Sequence, residues 1–378
     1  MEHIHLTNEE LARYSRHIII PEFNIEGQRR LKASKVLVVG TGGLGSPLLL
    51  YLTAAGVGTI GILDFDTVDD SNLQRQVLFS IDDVGKPKVD AAKARLEQLN
   101  PHVQFVVHNT RLSSENALDV LRSYDVVADG TDNFPTRYLV NDACVLLGIP
   151  NVYASIFRFD GQVSVFNYKN GPNYRDLYPE PPPPGLVPSC AEGGVLGVLP
   201  GIIGSLQANE VIKVLTGIGD TLSGRLFSFD ALNFSTRIFK VVKDKANPLN
   251  GENPTQTSLI DYEQFCGIPK AEKPVKEITV QELKQYFDSK LDFQLIDVRE
   301  KHEYDFVNLG GELIPLNTVL DNKHKIDTEK PVVVHCKGGV RSAKAIQALE
   351  EEGYTNLINL KGGIVAYAKE VDKTMPVY

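Results

Sequence analysis

The sequence predicts an α/β protein of two domains, and three observations support this. Its 378 residues exceed what a single hydrophobic core usually holds. Through residues 1–245, short apolar runs alternate with helical patterns, as in βαβ units with a mostly parallel sheet. Over residues 246–276 apolar residues thin out and Asn, Pro, Lys and Glu accumulate, as in a surface linker. A shorter α/β series over 277–378 is therefore predicted to be a separate, smaller domain.

The elements of the first domain follow from local signals. Its predicted strands are Lys35–Val39, Thr59–Phe65, Val103–His108, Asp125–Asp129 and Asn151–Ile156. Ser46 and Pro47 indicate an N-cap and the first turn of a helix, and Gly148 is expected to end a helix that begins near Phe134. The predicted elements of the second domain are a helix at Val280–Phe287, strands at Gln294–Val298 and Val332–His335, and helices at Ser342–Glu351 and from Ile364.

Composition and charge exclude several classes of protein. With 42% hydrophobic and 23% charged residues the chain is typical of a globular protein, and no apolar run approaches the roughly 18 residues of a membrane span. A net charge of -9 gives no basic footprint for nucleic acid or an anionic membrane, so we expect a protein or small-molecule partner. No secretory signal is visible, and four scattered cysteines without a C-x-x-C pair fit a reducing compartment, so a cytoplasmic location is expected.

A glycine-rich turn points to a nucleotide. VLVVGTGGLGS places Gly40, Gly42, Gly43 and Gly45 directly after a strand and before a helix, where backbone N–H groups can approach a phosphate. Asp64 ends the next strand, about 20 residues further on, where an acidic side chain can bind ribose hydroxyls. On these features alone an NAD-dependent dehydrogenase is the leading interpretation.

The residues that follow favour a phosphate chain instead. Four of them lie close in sequence to the ribose corner: Asp66, Asn72, Arg75 and Lys88. The cations among them are suited to phosphates. Asp129 and Asp132 follow another strand, at the edge where open α/β sheets bind ligands, and a carboxylate there can hold Mg²⁺ against phosphate oxygens.

Several of these segments together resemble one enzyme family. GTGGLG, LDFDTVDDSNLQRQ, GKPK, TDN and GSLQANEVIKVL are similar to the adenylyltransferases that activate molybdopterin-synthase and thiamin sulfur carriers, relatives of the ubiquitin-activating enzymes. The likeness runs from Leu11 to about Cys266. It implies a Rossmann-like adenylation domain whose partner is a small ubiquitin-like protein ending in Gly-Gly. The carboxylate of that protein would attack the α-phosphorus of ATP and expel pyrophosphate.

The resemblance also assigns roles to residues. It implies that Asp64 binds the ribose, that Arg75 and Lys88 clamp the phosphates, and that Asp132 is the Mg²⁺ ligand. The opening RYSRH matches an R-Y-x-R-Q element of the family, with His in place of Gln, so Arg16 is expected to reach the triphosphate from the other subunit of a homodimer.

The cysteines of the first domain differ in expected role. In the resembled family a cysteine at the position of Cys190, within VPSCAEGGVLG, lies on a loop that can reach the acyl-adenylate. The alternative interpretation is that Cys190 is only a small residue in an Ala/Gly-rich loop. Cys144 lies on an apolar helix face and is expected to be core, and Cys266 has no supporting neighbours in the linker. Family members usually carry two C-x-x-C pairs for structural zinc, near Asn173–Asp176 and Leu249–Asn250. This chain has neither, so no structural zinc is expected.

The second domain carries a cysteine loop. In VVVHCKGGVRSAKA, Cys336 ends a strand, Gly338 and Gly339 turn backbone N–H groups inward, and Arg341 adds a positive charge, an arrangement that stabilises an anion on sulfur. Such a cysteine is expected to be exposed. Protein phosphatases have five residues between Cys and Arg, whereas here there are four, and the tighter ring suits a sulfur atom.

This loop, with LIDVREKHEY and LKGGIVAYAKEV, resembles the rhodanese sulfurtransferases over most of Ile278–Val371. One departure is NLGGELIPLN, which lacks the histidine of the family's G-H-I-P-G-A turn; Gly310 and Gly311 are expected to keep the bend.

Together, the two halves resemble fused adenylyltransferase-rhodanese enzymes. The resemblance implies adenylation of the carrier, then attack by a persulfide on Cys336 that leaves a thiocarboxylate, with Cys190 resolving or relaying the intermediate. Three alternatives are a dehydrogenase, a non-enzymatic scaffold, and an enzyme that forms a Cys190 thioester to modify proteins. The sequence is compatible with carriers for molybdenum cofactor, thiamin, tRNA thiolation or sulfur-dependent amino-acid synthesis, and with a cysteine desulfurase or thiosulfate as the sulfur donor.

Overall fold

A computed structural model describes residues 4–183, 186, 193–267 and 275–378, and the chain divides into two compact units, Met1–Pro269 and Lys270–Tyr378. The described strands of the first unit are β1 Lys35–Val39, β2 Thr59–Asp64, β3 Gln104–Asn109, β4 Val126–Asp129, β5 Asn151–Phe157, β6 Asp160–Phe166, β7 Arg225–Asp230 and β8 Ser235–Lys240. Its described α-helices are α1 Asn8–Arg13, α2 Ser15–Ile18, α3 Asn24–Ala33, α4 Gly45–Ala55, α5 Lys88–Leu99, α6 Ala117–Leu121, α7 Phe134–Leu147, α8 Tyr174–Leu177, α9 Leu199–Thr216 and α10 Tyr262–Phe265.

These strands form one sheet with the order β3-β2-β1-β4-β5-β6-β7-β8. The pairs from β3 to β5 are parallel, and those from β5 to β8 are antiparallel. The parallel half confirms the predicted βαβ series. Its strands β1, β2 and β4 are almost wholly buried because helices cover the sheet, whereas the edge strand β3 is partly exposed. The carboxyl ends of β2, β1 and β4 therefore meet at one edge.

The helix ends follow ordinary capping rules, with one correction. Gly148 takes a left-handed conformation (φ 71°) and ends α7, as predicted. Ser46 is not an N-cap, since α4 already begins at Gly45 and no side chain caps it. The Ser46 hydroxyl instead donates to the Thr41 carbonyl at 3.4 Å, within the glycine-rich turn.

Much of the predicted linker packs on the first unit. The first unit binds this segment through the wholly buried carboxylate of Asp142. Asp142 accepts two hydrogen bonds from Arg175, at 2.9 and 2.7 Å. Tyr262 and Gln256 from the predicted linker each donate to the same carboxylate at 2.8 Å. Cys266 is buried in this core, and burial raises the pKa of its thiol to about 11. Residues 246–267 are thus structured, although their polar composition predicts a surface linker.

Four polar side chains cluster near the positions expected for the cysteine pairs of the resembled family: Asn173, Asp176, Asn247 and Asn250. Asn173 donates to Asn250 at 2.9 Å, and Asn247 donates to Asp176 at 2.7 Å. The Asp176 carboxylate also accepts the Asn173 backbone N–H at 2.7 Å. This Asn/Asp cluster joins the two segments by direct hydrogen bonds, and its amides and carboxylate lack the thiolates of a structural zinc site.

The second unit is a smaller α/β layer. Its described elements are β9 Glu277–Ile278, α11 Val280–Asp288, β10 Gln294–Asp297, α12 Lys301–Phe306, β11 Glu312–Leu313, β12 Val332–His335, α13 Val340–Glu351, β13 Leu357–Leu360 and α14 Gly363–Glu370. The strands form a parallel sheet with the order β11-β10-β12-β13-β9. At the departure from the rhodanese turn, Gly310 has φ 79°, which keeps the bend.

In the described parts of both units, no helix combines the length and apolar character needed to cross a membrane.

Candidate functional sites

The glycine-rich turn lies at the edge where three parallel strands end. Val39 of β1 is in register with Leu63 of β2 and Asp129 of β4. Gly40 follows with φ 90°, a conformation that favours glycine. A Cβ on Gly45 would lie 2.0 Å from the Gly40 carbonyl oxygen, so the turn can fold back this tightly only without a side chain there.

The other two glycines of this turn differ in the space beside them. A Cβ on Gly42 would meet only the Gln76 amide nitrogen within 4 Å, at 3.7 Å. A Cβ on Gly43 would lie 3.1 Å from Pro200, in the first turn of α9, and 3.7 Å from Arg75 Cγ. Gly42 therefore lines the open side of the turn, where backbone can approach a ligand closely.

The carboxylate of Asp64, at the end of β2, accepts hydrogen bonds from the glycine-rich turn. One carboxylate oxygen accepts the backbone N–H and the hydroxyl of Thr41 at 2.8 and 2.7 Å. The other oxygen accepts the N–H groups of Phe65 and Asp66 at 2.8 and 3.0 Å. A ribose hydroxyl at Asp64 would have to share or replace the bond to the Thr41 hydroxyl.

The predicted phosphate-binding residues lie on the segment between β2 and α5. Lys88 is buried, and its ammonium lies 3.1 Å from the exposed carboxylate of Asp66. The Asn72 side chain accepts the Asp69 N–H, and Arg75 donates to the Ser71 carbonyl at 3.1 Å. Arg75 thus lies beside Gly43, and its guanidinium is hydrogen-bonded to its own segment.

The end of β4 holds a buried acid with an unused oxygen. Asp129 is wholly buried; one oxygen accepts the N–H and the hydroxyl of Thr131 at 2.9 and 2.6 Å, and the other has no hydrogen-bond partner in the described structure. Burial raises the pKa of Asp129, and the nearby Arg137 opposes that shift. Arg137 is itself buried and donates to the Thr131 carbonyl at 2.9 Å. Asp132 lies just beyond and is exposed.

The glycine-rich turn, the cations and the acidic side chains at this edge fit a nucleoside triphosphate with a divalent cation. Within the described part of the chain, the side-chain oxygen of Gln76 is also buried without a hydrogen-bond partner, and Gly42 keeps the neighbouring space open. Carboxylate oxygens such as those of Asp132 suit Mg²⁺, which is usually held by one or two carboxylates together with phosphates. Within the described ranges, no group of three or more His, Cys, Asp or Glu side chains could hold a metal by itself.

Two predicted residues of the first unit are not brought to this edge by any described contact. Arg16 is exposed on α2. Cys190 lies outside the described residues. Cys144 is wholly buried, and burial raises the pKa of its thiol well above its usual value, as expected of a core cysteine.

The second unit presents the cysteine loop between β12 and α13. The sulfur of Cys336 accepts the Gly339 N–H at 3.1 Å, so the glycine turn directs a backbone donor at it. The Ser342 hydroxyl lies 3.4 Å from the sulfur but donates to the Asn359 amide oxygen at 2.7 Å. The thiol is 1% accessible, although an exposed one was expected. Cys336 belongs to a buried core cluster of this unit, together with residues such as Val334 and Ile346. The start of α14 also approaches the loop backbone closely, since a Cβ on Gly363 would lie 2.4 Å from the Cys336 carbonyl oxygen.

Arg341 does not act as an isolated positive charge. Its two terminal nitrogens donate to Glu303 at 2.7 and 2.8 Å. Burial alone would raise the pKa of Glu303, but the hydrogen bonds from Arg341 and the Glu300 N–H prevail and lower it to about 2. The Arg341 guanidinium is therefore held in a bidentate ion pair with the largely buried Glu303 carboxylate.

A second ion pair supports the first. Arg299 is wholly buried and donates to both oxygens of Asp297. His335, directly before Cys336, is also wholly buried with its Nε2 3.7 Å from Asp297, and burial lowers its pKa to about 4. The histidine is thus neutral near pH 7.

Sequence reasoning missed the supporting residues of both sites. They are Thr41, Gln76, Arg137, Asp297, Arg299, Glu303 and Tyr378, whose hydroxyl accepts a hydrogen bond from Arg299 and donates one to Glu303 at 3.2 Å. The motif LIDVREKHEY contains three of them, and its acidic and basic residues at strand-end positions are a signal that could have found them. Tyr378 offered no signal, because its contacts come from segments distant in sequence.

Comparison with known proteins identifies two families in the chain. Residues 14–250 match the ThiF family and residues 279–370 match the rhodanese-like domain. A Mycobacterium tuberculosis protein, the probable adenylyltransferase/sulfurtransferase MoeZ, is 50% identical over 99% of this chain and 96% of its own length. The adenylyltransferase and sulfurtransferase MOCS3 of Culex quinquefasciatus is 44% identical over 99% of this chain and 90% of its own. The sulfur carrier protein adenylyltransferase of Thermus thermophilus is 55% identical over 69% of this chain and 98% of its own.

Solved structures support the fold of the first unit. A crystal structure of E. coli MccB with ATP covers 63% of this chain and 73% of that chain, with a TM-score of 0.55 and 22% identity. Another, with a form of MccA, gives a TM-score of 0.58 at 21% identity over 64% of this chain and 75% of that one.

Proposed function

This chain belongs to the ThiF family and carries a rhodanese-like domain after it, and from that premise we propose that it activates and thiolates a ubiquitin-like sulfur carrier. It is an adenylyltransferase and sulfurtransferase, since relatives with both activities in their names match it almost end to end. One observation carries the proposal: the same chain contains both kinds of site. The strand ends of β1, β2 and β4 present polar groups and open space beside a glycine-rich turn, and the second unit has a glycine turn that directs a backbone N–H at the Cys336 sulfur.

In the first step, the C-terminal Gly-Gly carboxylate of the carrier attacks the α-phosphorus of ATP, forming the acyl-adenylate and releasing pyrophosphate. Catalysis of this kind is mainly positioning and charge stabilisation. Gly40, Gly42, Gly43 and Gly45 shape the turn for the phosphates, and Asp64 holds that turn. The roles proposed for Arg75 and Lys88 are to stabilise the departing pyrophosphate, for which Lys88 would exchange Asp66 for phosphate oxygens.

The divalent cation belongs to the same proposal. Asp132 is its ligand, and Mg²⁺ bound there would neutralise charge on the phosphates. Asn72 and Asp66 flank the nucleotide on the β2 side. We further propose a homodimer in which the exposed Arg16 of one subunit reaches the triphosphate of the other. A cytoplasmic location is part of the same proposal.

In the second step, sulfur enters through Cys336. The Cys336 thiolate takes a sulfur atom from a donor: with thiosulfate it attacks the outer sulfur and releases sulfite, and with a desulfurase persulfide it releases the desulfurase thiolate. The terminal sulfur of the resulting persulfide attacks the acyl-adenylate and expels AMP. A thiol, for which Cys190 is the proposed residue, then cleaves the acyl disulfide, leaving the carrier thiocarboxylate and a protein disulfide that a cellular thiol reduces.

The direct test of the first step is exchange of labelled pyrophosphate into ATP. Purified protein, ATP, Mg²⁺ and a panel of Gly-Gly-ended sulfur carriers would be mixed, and carrier-dependent exchange measured. We expect exchange with one carrier, lost in Asp132→Ala and retained in Cys336→Ala. Absence of exchange with every carrier would favour a scaffold or a different acid substrate.

A further inference from the structure

The Ser342 hydroxyl lies among three hydrogen-bond acceptors beside the cysteine loop. Its oxygen is 2.7 Å from the Asn359 amide oxygen, 3.1 Å from the Gly339 carbonyl oxygen and 3.4 Å from the Cys336 sulfur. A serine hydroxyl has a single hydrogen to donate. It can therefore donate well to only one of these acceptors at a time, and the shortest distance assigns the hydrogen to Asn359.

The amide of Asn359 is held in one orientation by the neighbouring strand. Asn359 of β13 is in register with Glu277 of β9, and its amide nitrogen donates to that carboxylate at 3.2 Å. A flipped amide would place its oxygen against the carboxylate, so the charge of Glu277 keeps the amide oxygen towards Ser342. Ser342 and Asn359 are both buried, so the acceptors available to the hydroxyl are those of the protein.

The charge on sulfur decides which acceptor is the better one. A thiol sulfur is a weak acceptor, whereas hydrogen bonds to an ionised group are about twice as strong as those between neutral groups. Ionisation of Cys336 therefore favours donation to its sulfur over donation to the neutral Asn359 oxygen. The distance from the hydroxyl oxygen to the sulfur already permits that bond, so only the hydrogen has to rotate.

We propose that Ser342 is a donor that changes its acceptor during sulfur transfer: its hydroxyl donates to Asn359 while the Cys336 sulfur is uncharged and turns to that sulfur when it is a thiolate. Asn359 is then a positioning residue, because it acts on the sulfur only through Ser342. This inference rests on the proposed function of Cys336 in sulfur transfer.

The thiolate of Cys336 is needed at two points of that cycle. It attacks the sulfur donor, and it forms again when the outer sulfur of the persulfide leaves. With cyanide as the acceptor, the cyanide carbon bonds to the outer sulfur, the bond between the two sulfurs breaks, and its electron pair returns to Cys336 as thiocyanate departs. A hydroxyl that turns to the sulfur at that moment stabilises the leaving thiolate.

The test measures the pKa of the Cys336 thiol in the full chain. The rate of alkylation by iodoacetamide is followed against pH on the peptide that contains Cys336, by mass spectrometry, so the other cysteines do not contribute. Because the thiolate is the nucleophile, this rate reports the ionisation of Cys336. Ser342→Ala removes the donor, and we expect the pKa to rise by about 1, as for loss of one hydrogen bond to a charged group.

Asn359→Leu separates this change of acceptor from a merely structural role. It removes the competing acceptor and leaves the hydroxyl, so we expect the pKa to fall by about 0.5. In the Ser342→Ala background the same change should alter the pKa by less than about 0.2, because no hydroxyl is left to release.

Several results would overturn the proposal. They are an unchanged pKa in either single variant, or shifts of the same sign in both. If Ser342→Ala does not fold, an unchanged or raised pKa in Asn359→Leu overturns the proposal by itself. Where the covered sulfur reacts too slowly with iodoacetamide, the pH dependence of kcat/KM for thiosulfate supplies the same pKa.

Two controls keep the outcomes distinct. Ser289→Ala removes a hydroxyl at the end of α11 that donates to the Gln285 carbonyl at 2.7 Å, and it should leave the pKa of Cys336 unchanged. The titratable side chains of the loop and of the segments beside it stay the same in all these variants: Glu277, Asp297, Arg299, Glu303, His335, Lys337, Arg341, Lys361 and Tyr378.

Transfer of sulfur from thiosulfate to cyanide tests the proposed function separately. Turnover that persists in Cys336→Ala would refute the proposed function itself. Loss of turnover there, together with an unchanged thiol pKa in Ser342→Ala, would refute only the role of Ser342.

Discussion

The Gly40–Gly45 turn and the Cys336 loop both connect a strand to a helix through glycines, but their polar groups have different partners. At the turn from Gly40 to Gly45, buried oxygens of Asp129 and Gln76 lack partners in the described structure, and Gly42 faces open space. At the Cys336 loop, the guanidinium of Arg341 already has its carboxylate partner. Buried atoms without a partner do not distinguish the two loops, because both ring nitrogens of His335, next to Cys336, also lack one in the described structure. The loops differ in their contacts: acceptors beside the first turn are open to a ligand, whereas the second turn already donates the Gly339 N–H to its own sulfur.

The largest effect should come from the sulfur itself. Cys336→Ser leaves a hydroxyl that cannot carry a persulfide, so transfer from thiosulfate to cyanide should fall by more than about a thousandfold. Pyrophosphate exchange should stay within about 2-fold of wild type, because it needs only the first loop. A parallel fall in both activities would show that the two loops do not act separately.

Glycine substitutions distinguish crowded from open positions in the two loops. Gly45→Ala places a Cβ 2.0 Å from a backbone oxygen, which should destabilise the first unit by about 1–3 kcal/mol and abolish exchange. The matched change Gly338→Ala meets no atom within 4 Å and should alter stability by less than about 0.5 kcal/mol. Thermal unfolding of both variants measures this, and equal losses would contradict the described turn.

The two loops should respond to acid with opposite signs. The folded-state pKa of Glu303 is about 2, below its ordinary value, so its stabilisation is present above pH 4.5 or so and is lost as pH falls toward about 2. The pKa of Asp129 is raised by burial, so the folded state favours its protonated form and loses stability as pH rises above about 4.

Matched amides would reveal each contribution. Glu303→Gln should make stability less sensitive to acid below about pH 4.5, and Asp129→Asn should flatten the loss above about pH 4, measured as unfolding free energy against pH. If either variant steepened the profile in its own window, the assignment of that carboxylate would be wrong.

The smallest effect is expected at the Asn/Asp cluster. Because Asn173, Asp176, Asn247 and Asn250 bind one another directly, a chelator should not shift the unfolding temperature. Asn250→Ala removes the acceptor of the Asn173 amide and should cost about 1–2 kcal/mol. A fall in unfolding temperature with chelator, accompanied by release of zinc, would show that a metal supports this region after all.

Much of the fold could be predicted because its signals are local. Strand β1 is a short apolar run, and Gly148 ends α7 for the conformational reason that the sequence indicates. The packing of residues 246–267 could not be predicted, since it depends on Asp142, whose partners Gln256 and Tyr262 lie more than a hundred residues away. Polar composition predicts a linker there because nothing local shows that its polar groups have buried partners.

The candidate sites likewise contain some residues that short motifs predict and others that only the folded structure brings together. Cys336 and the turn glycines stand in short motifs, and the structure brings Gly40 and Asp64 to the predicted edge. The pairing of Arg341 with Glu303 could not be read from the sequence, because one member lies on α12 and the other on α13. Burial of Cys336 likewise depends on a core cluster whose members come from separate segments of the second unit.

The central claim is that one chain adenylates a carrier at the first loop and thiolates it from the second. The most direct measurement is mass spectrometry of the intact carrier after incubation with the protein, ATP, Mg²⁺ and thiosulfate. We expect the mass change of one oxygen-for-sulfur exchange at the carrier's C-terminus with wild type, acyl-adenylate without thiocarboxylate in Cys336→Ala, and unmodified carrier in Asp132→Ala. Thiocarboxylate formed without ATP, or formed at the wild-type rate by Cys336→Ala, would contradict the account.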